Sequence, residues 1–220
     1  MPVSNIWELT DPKWKGKVAM QDPLGKASYV DWFNQMASHG DGEVKAAYKA
    51  LYGKDLETGE KSATAAWVKA LAANAPLLTD ADAAAAEAVG APGQKEPFMG
   101  LISSAKFRDN AEKGTKLGLC KELKPWVGWL YPGVGLITKG TNSPNAAKLF
   151  IHYIMTAEGI APQAIDGKMS TNREVSLPAD EPSGIGAVLD NILPYSMATS
   201  LEDWDARETW QDFWRVNYKK

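Results

Sequence analysis

Short apolar runs of strand length alternate in this chain with longer stretches whose apolar residues recur at helical spacing, and that alternation excludes most folds. Lys17–Met20 reads as a strand ended by Asp22-Pro23. Residues 25–37 then carry Tyr29, Trp32, Phe33 and Met36 at helical spacings, with Gly40 as a stop. Further helices are predicted over 43–52, closed by Gly53, and over 64–73, with Trp67, Val68 and Leu71 on one face. Pro76–Leu78 reads as a brief strand, and 79–89 as an alanine-rich helix that Thr79 or Asp80 caps. Pro97–Ser103 reads as a strand covered on both faces. A short helix over 104–113, a strand over 116–120 and a glycine-rich extended stretch over 126–138 follow. A helix opened by Ser143-Pro144 comes next, with Leu149, Phe150, Tyr153 and Ile154 on one stripe. The last helix, 202–220, offers Trp204, Trp210, Phe213 and Trp214 as packing groups. Strands alternating with helices predict an α/β fold, with a largely parallel sheet flanked by helices.

The 220 residues, 45% of them apolar, suffice for one sizeable core or two modest ones. A net charge of −3 with both signs interspersed gives no basic footprint, so no nucleic-acid partner is expected. No apolar run approaches the roughly 20 residues that span a bilayer. Cys120 stands alone, which leaves no internal disulfide and no thiolate cluster; it reads as a small apolar residue at a strand end. The two histidines, His39 and His152, lack ligand spacing, and His39 is placed to meet the last carbonyls of its helix. No nucleophile elbow, phosphate-binding loop, dinucleotide fingerprint or zinc-helix motif occurs. No catalytic constellation is visible, and no cofactor or metal is expected.

The best site candidate is Asp22, Gly25, Lys26, Ala27, Ser28 and Tyr29, where a strand runs through a turn into a helix. The first amides of a helix have no internal partners and point at whatever lies in front of them. Gly25 is expected to admit a ligand close to the backbone, Lys26 supplies charge and Ser28 a hydroxyl. In α/β sheets ligands gather beyond the carboxyl ends of strands. Ser103 and Ser104, and the aromatic pair Trp129 and Tyr131, are expected to reach the same cleft.

Trp7-Glu8-Leu9-Thr10-Asp11-Pro12-Lys13-Trp14-Lys15-Gly16-Lys17-Val18 closely resembles the segment leading into the second lobe of bacterial extracellular solute-binding proteins, in the branch often labelled ferric-iron transport. The likeness extends over Val18–Met36, the alanine-rich helix, Gly133–Ile137 and Asn145–Gly159, and weakens after Asp180. It implies a type 2 periplasmic-binding fold, in which two α/β lobes close on a solute and deliver it to an ABC permease in the inner membrane. It also implies a periplasmic or extracellular location. On this resemblance residues 1–133 form the second lobe, 134–178 cross back to the first lobe, and 179–220 return. A signal peptide and most of the first lobe are expected to be missing, leaving the 149–154 stripe exposed and the chain prone to self-association. Iron-binding members carry two adjacent tyrosines where this chain has Ser103-Ser104-Ala105-Lys106, so an anionic or phosphorylated organic solute fits better than tyrosine-ligated ferric iron. Two other readings share the fold: an effector-sensing domain of a transcription regulator, and a transferase using Cys120 in an accessible, basic setting.

Overall fold

The computed structural model describes residues 2–96 and 98–219. Three parallel strands, β1 (Val18–Gln21), β2 (Leu77–Thr79) and β3 (Met99–Leu101), form a sheet in the order β2-β1-β3. Helices α1 (Ala27–His39), α2 (Asp41–Tyr52) and α3 (Ala63–Ala73) fill the connection from β1 to β2, and α4 (Asp82–Gly90) joins β2 to β3. The predicted α/β class, a parallel sheet flanked by helices, is the observed one. The central strand is buried on both faces, with Val18, Ala19 and Met20 at most 1% exposed. The terminal helix α8 (Ser200–Asn217) lies along α1 and α3 and closes the body.

Several indoles build the core, Trp7, Trp67 and Trp210 donating to acceptors and Trp32 and Trp214 packing against partner rings. Trp67 is fully buried, donates its Nε1 to the Ile6 carbonyl at 3.0 Å, and meets Trp32 edge-on at 5.7 Å. Trp7 donates to the Val44 carbonyl, and Trp214 stacks on Phe33. Asn74, just past α3, donates to the carbonyls of Leu9 and Asp11, so the Trp7–Lys17 segment is tied to the helix layer.

Beyond β3 the chain turns through a 3-10 helix, Ser104–Arg108, into the short α5 (Asp109–Glu112). Two further strands, β4 (Gly128–Trp129) and β5 (Ile192–Leu193), pair in parallel as a separate ladder. Between them lies an excursion that holds α6 (Pro144–Ile154) and α7 (Ala157–Ala164).

Several sequence expectations need correction. β3 is an edge strand and half-buried rather than covered on both faces; Pro97, at the start of the predicted run, lies outside the described residues, as does Lys220 of the last helix. No strand forms over 116–120, because the Asn110 side chain takes both backbone groups of Leu117 at 2.9 Å, as a neighbouring strand would. Cys120 is therefore half-buried in a loop. Thr79 belongs to β2 and neither it nor Asp80 caps α4, whose cap residue is Ala81. Ser143 precedes α6 without a side-chain capping bond. His39 pairs with the Thr199 hydroxyl at 2.8 Å instead of its own helix carbonyls. Trp204 is 65% exposed, on the outer face of α8 beneath Arg207.

Candidate functional site

The register brings the strand ends level, since Gln21 pairs with Thr79 and Met20 with Leu101. Three connections therefore leave the sheet side by side: Asp22–Lys26 into α1, Asp80–Ala81 into α4, and Ile102–Ser103 into the 3-10 helix. Asp22 closes its own turn, its side chain accepting from the Leu24 amide and its carbonyl from the amides of Gly25 and Lys26. Gly25 is not demanded by the backbone here: a methyl group on it meets only the Asp22 carbonyl, at 3.8 Å. Lys26 is the cap residue of α1 and is exposed; no side chain caps this helix or α4. The Ala27 and Ser28 amides thus face outward, and the half-buried Ser28 hydroxyl makes no hydrogen bond among the described residues.

Side-chain contacts tie the three exits together. Tyr29 donates its hydroxyl to the Leu101 carbonyl at 2.5 Å. Burial, together with the Asp82 carboxylate, pushes its pKa well above the ordinary phenol range, so it stays a neutral donor rather than a phenolate ligand. Asp82, in the first turn of α4, accepts from the Ser103 amide at 3.2 Å. The Ser103 hydroxyl caps the 3-10 helix through the Ala105 amide, and Ser104 donates to the Asp166 carbonyl at 3.3 Å. Burial raises the pKa of Asp82 against the opposing pull of the Ser103 amide, Lys106 and Lys26. Neither lysine forms an ion pair among the described residues.

A carboxyl whose pKa is raised on folding favours the folded state most at low pH, and that advantage fades as pH rises through the folded value. Asp82→Asn is therefore expected to raise the melting temperature at pH 7 and to leave it nearly unchanged at pH 3. Thermal unfolding at the two pH values checks this.

The aromatic pair reaches the same end of α1 by another route. Residues three and four apart on a helix are neighbours, so Ser28 shares a face with Asp31 and Trp32. Trp129 stacks on Trp32 at 6.2 Å and 17°, and the half-exposed Tyr131 donates to Asp31 Oδ2 at 3.2 Å. Asp22, Gly25, Lys26, Ala27, Ser28, Tyr29, Ser103 and Ser104 thus gather at the carboxyl ends of the strands, with Tyr29, Ser103 and Ser104 using their hydroxyls internally, while Trp129 and Tyr131 pack against Trp32 and Asp31 of α1. Concavities of about 530 Å³ beside Lys121 and Lys124, and about 300 Å³ beside His39 and Trp126, lie away from these residues.

Asp82 and Arg207 escaped the sequence reading. The strand-end rule that selected Lys26 and Ser28 also selects Asp82, had it been applied at β2. Arg207 holds Asp31 from 176 positions away, and no local signal marks that pair. Among the described residues no three histidine, cysteine or acidic side chains stand together as a metal site. Burial pushes the Cys120 thiol pKa up, so Cys120 lacks the activated setting a nucleophile needs.

The sequence model of a family described as bacterial extracellular solute-binding protein matches residues 1–167. No curated protein matches the chain.

Proposed function

The chain belongs to the bacterial extracellular solute-binding proteins, and on that premise we propose that it captures a small anionic or phosphorylated organic solute for an ABC-type importer. The observation that carries the solute class is the convergence of uncapped helix amides with Lys26 and Lys106 at the carboxyl edge of the sheet. Backbone amides and ammonium groups together suit an anion, while Trp129 and Tyr131 offer ring faces to an organic remainder. The solute leaves unchanged, so the protein acts as a carrier and not as an enzyme. Residues 1–133 and 179–220 form one wall of the clamp and 134–178 belong to the opposing one; the solute favours the closed form because only there do both walls touch it. Capture takes place in the periplasm or outside the cell, and the loaded protein passes its cargo to a permease in the inner membrane.

Thermal shift against hexose phosphates, phosphonates, ferric citrate and polyamines tests this reading. A hexose phosphate is expected to raise the melting temperature by mass action. Lys26→Ala or Lys106→Ala removes a charged hydrogen-bond donor worth about 1.5–3 kcal/mol, which weakens binding about ten- to a hundredfold. Stabilisation by polyamines with none by phosphates contradicts the assignment.

One surface bears on how the isolated chain behaves. In α6, Leu149, Phe150 and Tyr153 are 68%, 63% and 43% exposed, beside Val134 and Leu136 at 65% and 83%. Contiguous apolar surface of this kind drives association. The 220-residue chain is expected to self-associate through it, and Phe150→Asp to shift the sedimentation profile toward monomer.

A further inference from the structure

Residues 132–190 leave the body after β4 and return to it at β5. Among the described residues, the hydrogen bonds that tie this excursion back all end on Asp166: the Ser104 hydroxyl reaches its carbonyl, and Arg108 its carboxylate at 2.7 Å. Any change in the excursion's direction must otherwise be absorbed next to β4 and β5.

Those two places are anchored by two polar clusters built side by side on α1 and α8, with the Tyr131 and Tyr195 rings edge-to-face between them at 6.2 Å. On the outgoing side, Tyr131 donates to Asp31, a carboxylate only 1% exposed that Arg207 grips through Nε and Nη2 at 2.7 Å each. On the returning side, beyond β5, Tyr195 donates to Asp203 Oδ2 at 2.9 Å, and the Ser196 amide donates to Gln35 Oε1 at 2.8 Å. Gln35 in turn donates to Asp203 at 2.7 Å, and both are buried. Asp31 and Gln35 lie one turn apart on α1, as do Asp203 and Arg207 on α8, so two packed helices present a rigid socket row. Just past Tyr131 the constraint ends: a methyl group on Gly133 meets nothing within 4 Å. On the way back, Gly184 is left-handed at φ +66, and Val188 interrupts the 3-10 helix Ile185–Asn191 at φ −133.

We infer that Tyr131 is a positioning residue whose bond to Asp31 fixes the direction in which the outgoing strand leaves, confining the bend to Pro132–Gly133 and Gly184–Asn191. The inference deepens the clamp reading and rests on it, since this bend sets how the walls meet. A bond to a buried, ion-paired carboxylate holds direction well because its acceptor cannot move. Tyr195 makes a matching bond on the body's side of β5, where it has no swing to restrain.

The test is a spin-label distance measurement without solute. Labels go on the exposed positions Lys45→Cys in α2 and Lys148→Cys in α6, with Cys120→Ser removing the native thiol and Arg108→Ala removing the ion pair to Asp166. With Tyr131 intact a single narrow distribution is expected. Tyr131→Phe should at least double its width, while Tyr195→Phe leaves it unchanged. An unaltered width in Tyr131→Phe, or equal broadening in Tyr195→Phe, overturns the inference. With no solute present, the outcome is independent of whether phosphates bind, which the thermal-shift panel decides separately.

Discussion

Arg207→Met is expected to lower the unfolding free energy by about 3 kcal/mol, at the low end for a broken buried pair because the arginine side chain keeps 27% of its exposure. The loss comes less from the missing attraction than from what remains. Asp31, 1% exposed, would be left buried with the Tyr131 hydroxyl as its one remaining side-chain donor. Removing both charges together leaves no stranded ion, so Asp31→Leu/Arg207→Met should unfold at higher denaturant than Arg207→Met alone. Urea titrations of the two singles and the double measure the coupling directly. If the double is as unstable as the sum of the singles, the pair does not act as a unit.

Trp67→Ala is expected to cost about 3–5 kcal/mol, a large part of the 5–15 kcal/mol by which an ordinary domain is stable. Its ring sits among Trp32, Phe33 and the helix layer with no exposed surface, and the collapse of that space is opposed by α1, α3 and α8 on several sides. The Ile6 carbonyl also loses its donor. Trp67→Phe keeps most of the volume but not the hydrogen bond, and should fall well short of the full loss. Denaturant unfolding followed by far-ultraviolet circular dichroism separates the two.

What could be read from the sequence follows the range over which each signal acts. The helices α1, α2, α3 and α8 announce themselves through stripes that local geometry makes periodic, and Gly53 closes α2 in the left-handed conformation that only glycine adopts without strain. The strand-to-helix turn at Asp22–Ser28 was equally legible, because both elements adjoin in the chain. Failures arose where a distant group replaced the local one. The run at 116–120 has strand composition, yet Asn110 supplies its hydrogen bonds. Trp204 carries an apolar ring on a helix that packs, but the rotation of α8 set by Trp210 and Trp214 turns it outward. Gly25 resembled a site glycine only by position. The convergence of Ser103 with Asp82, and of Tyr131 with Asp31, depends on sheet order and helix packing, which no window of residues contains.

The carboxyl edge of the three-stranded sheet is the proposed wall that meets the solute. Titrating the ¹⁵N-labelled chain with a hexose phosphate, and following its backbone amides, addresses that claim most directly. The largest shifts are expected at Lys26–Tyr29, Asp82 and Ser103–Lys106, with inorganic phosphate moving the same amides less. Shifts confined to the surroundings of His39 and Trp126 or of Lys121 and Lys124, or none at any concentration, would contradict it.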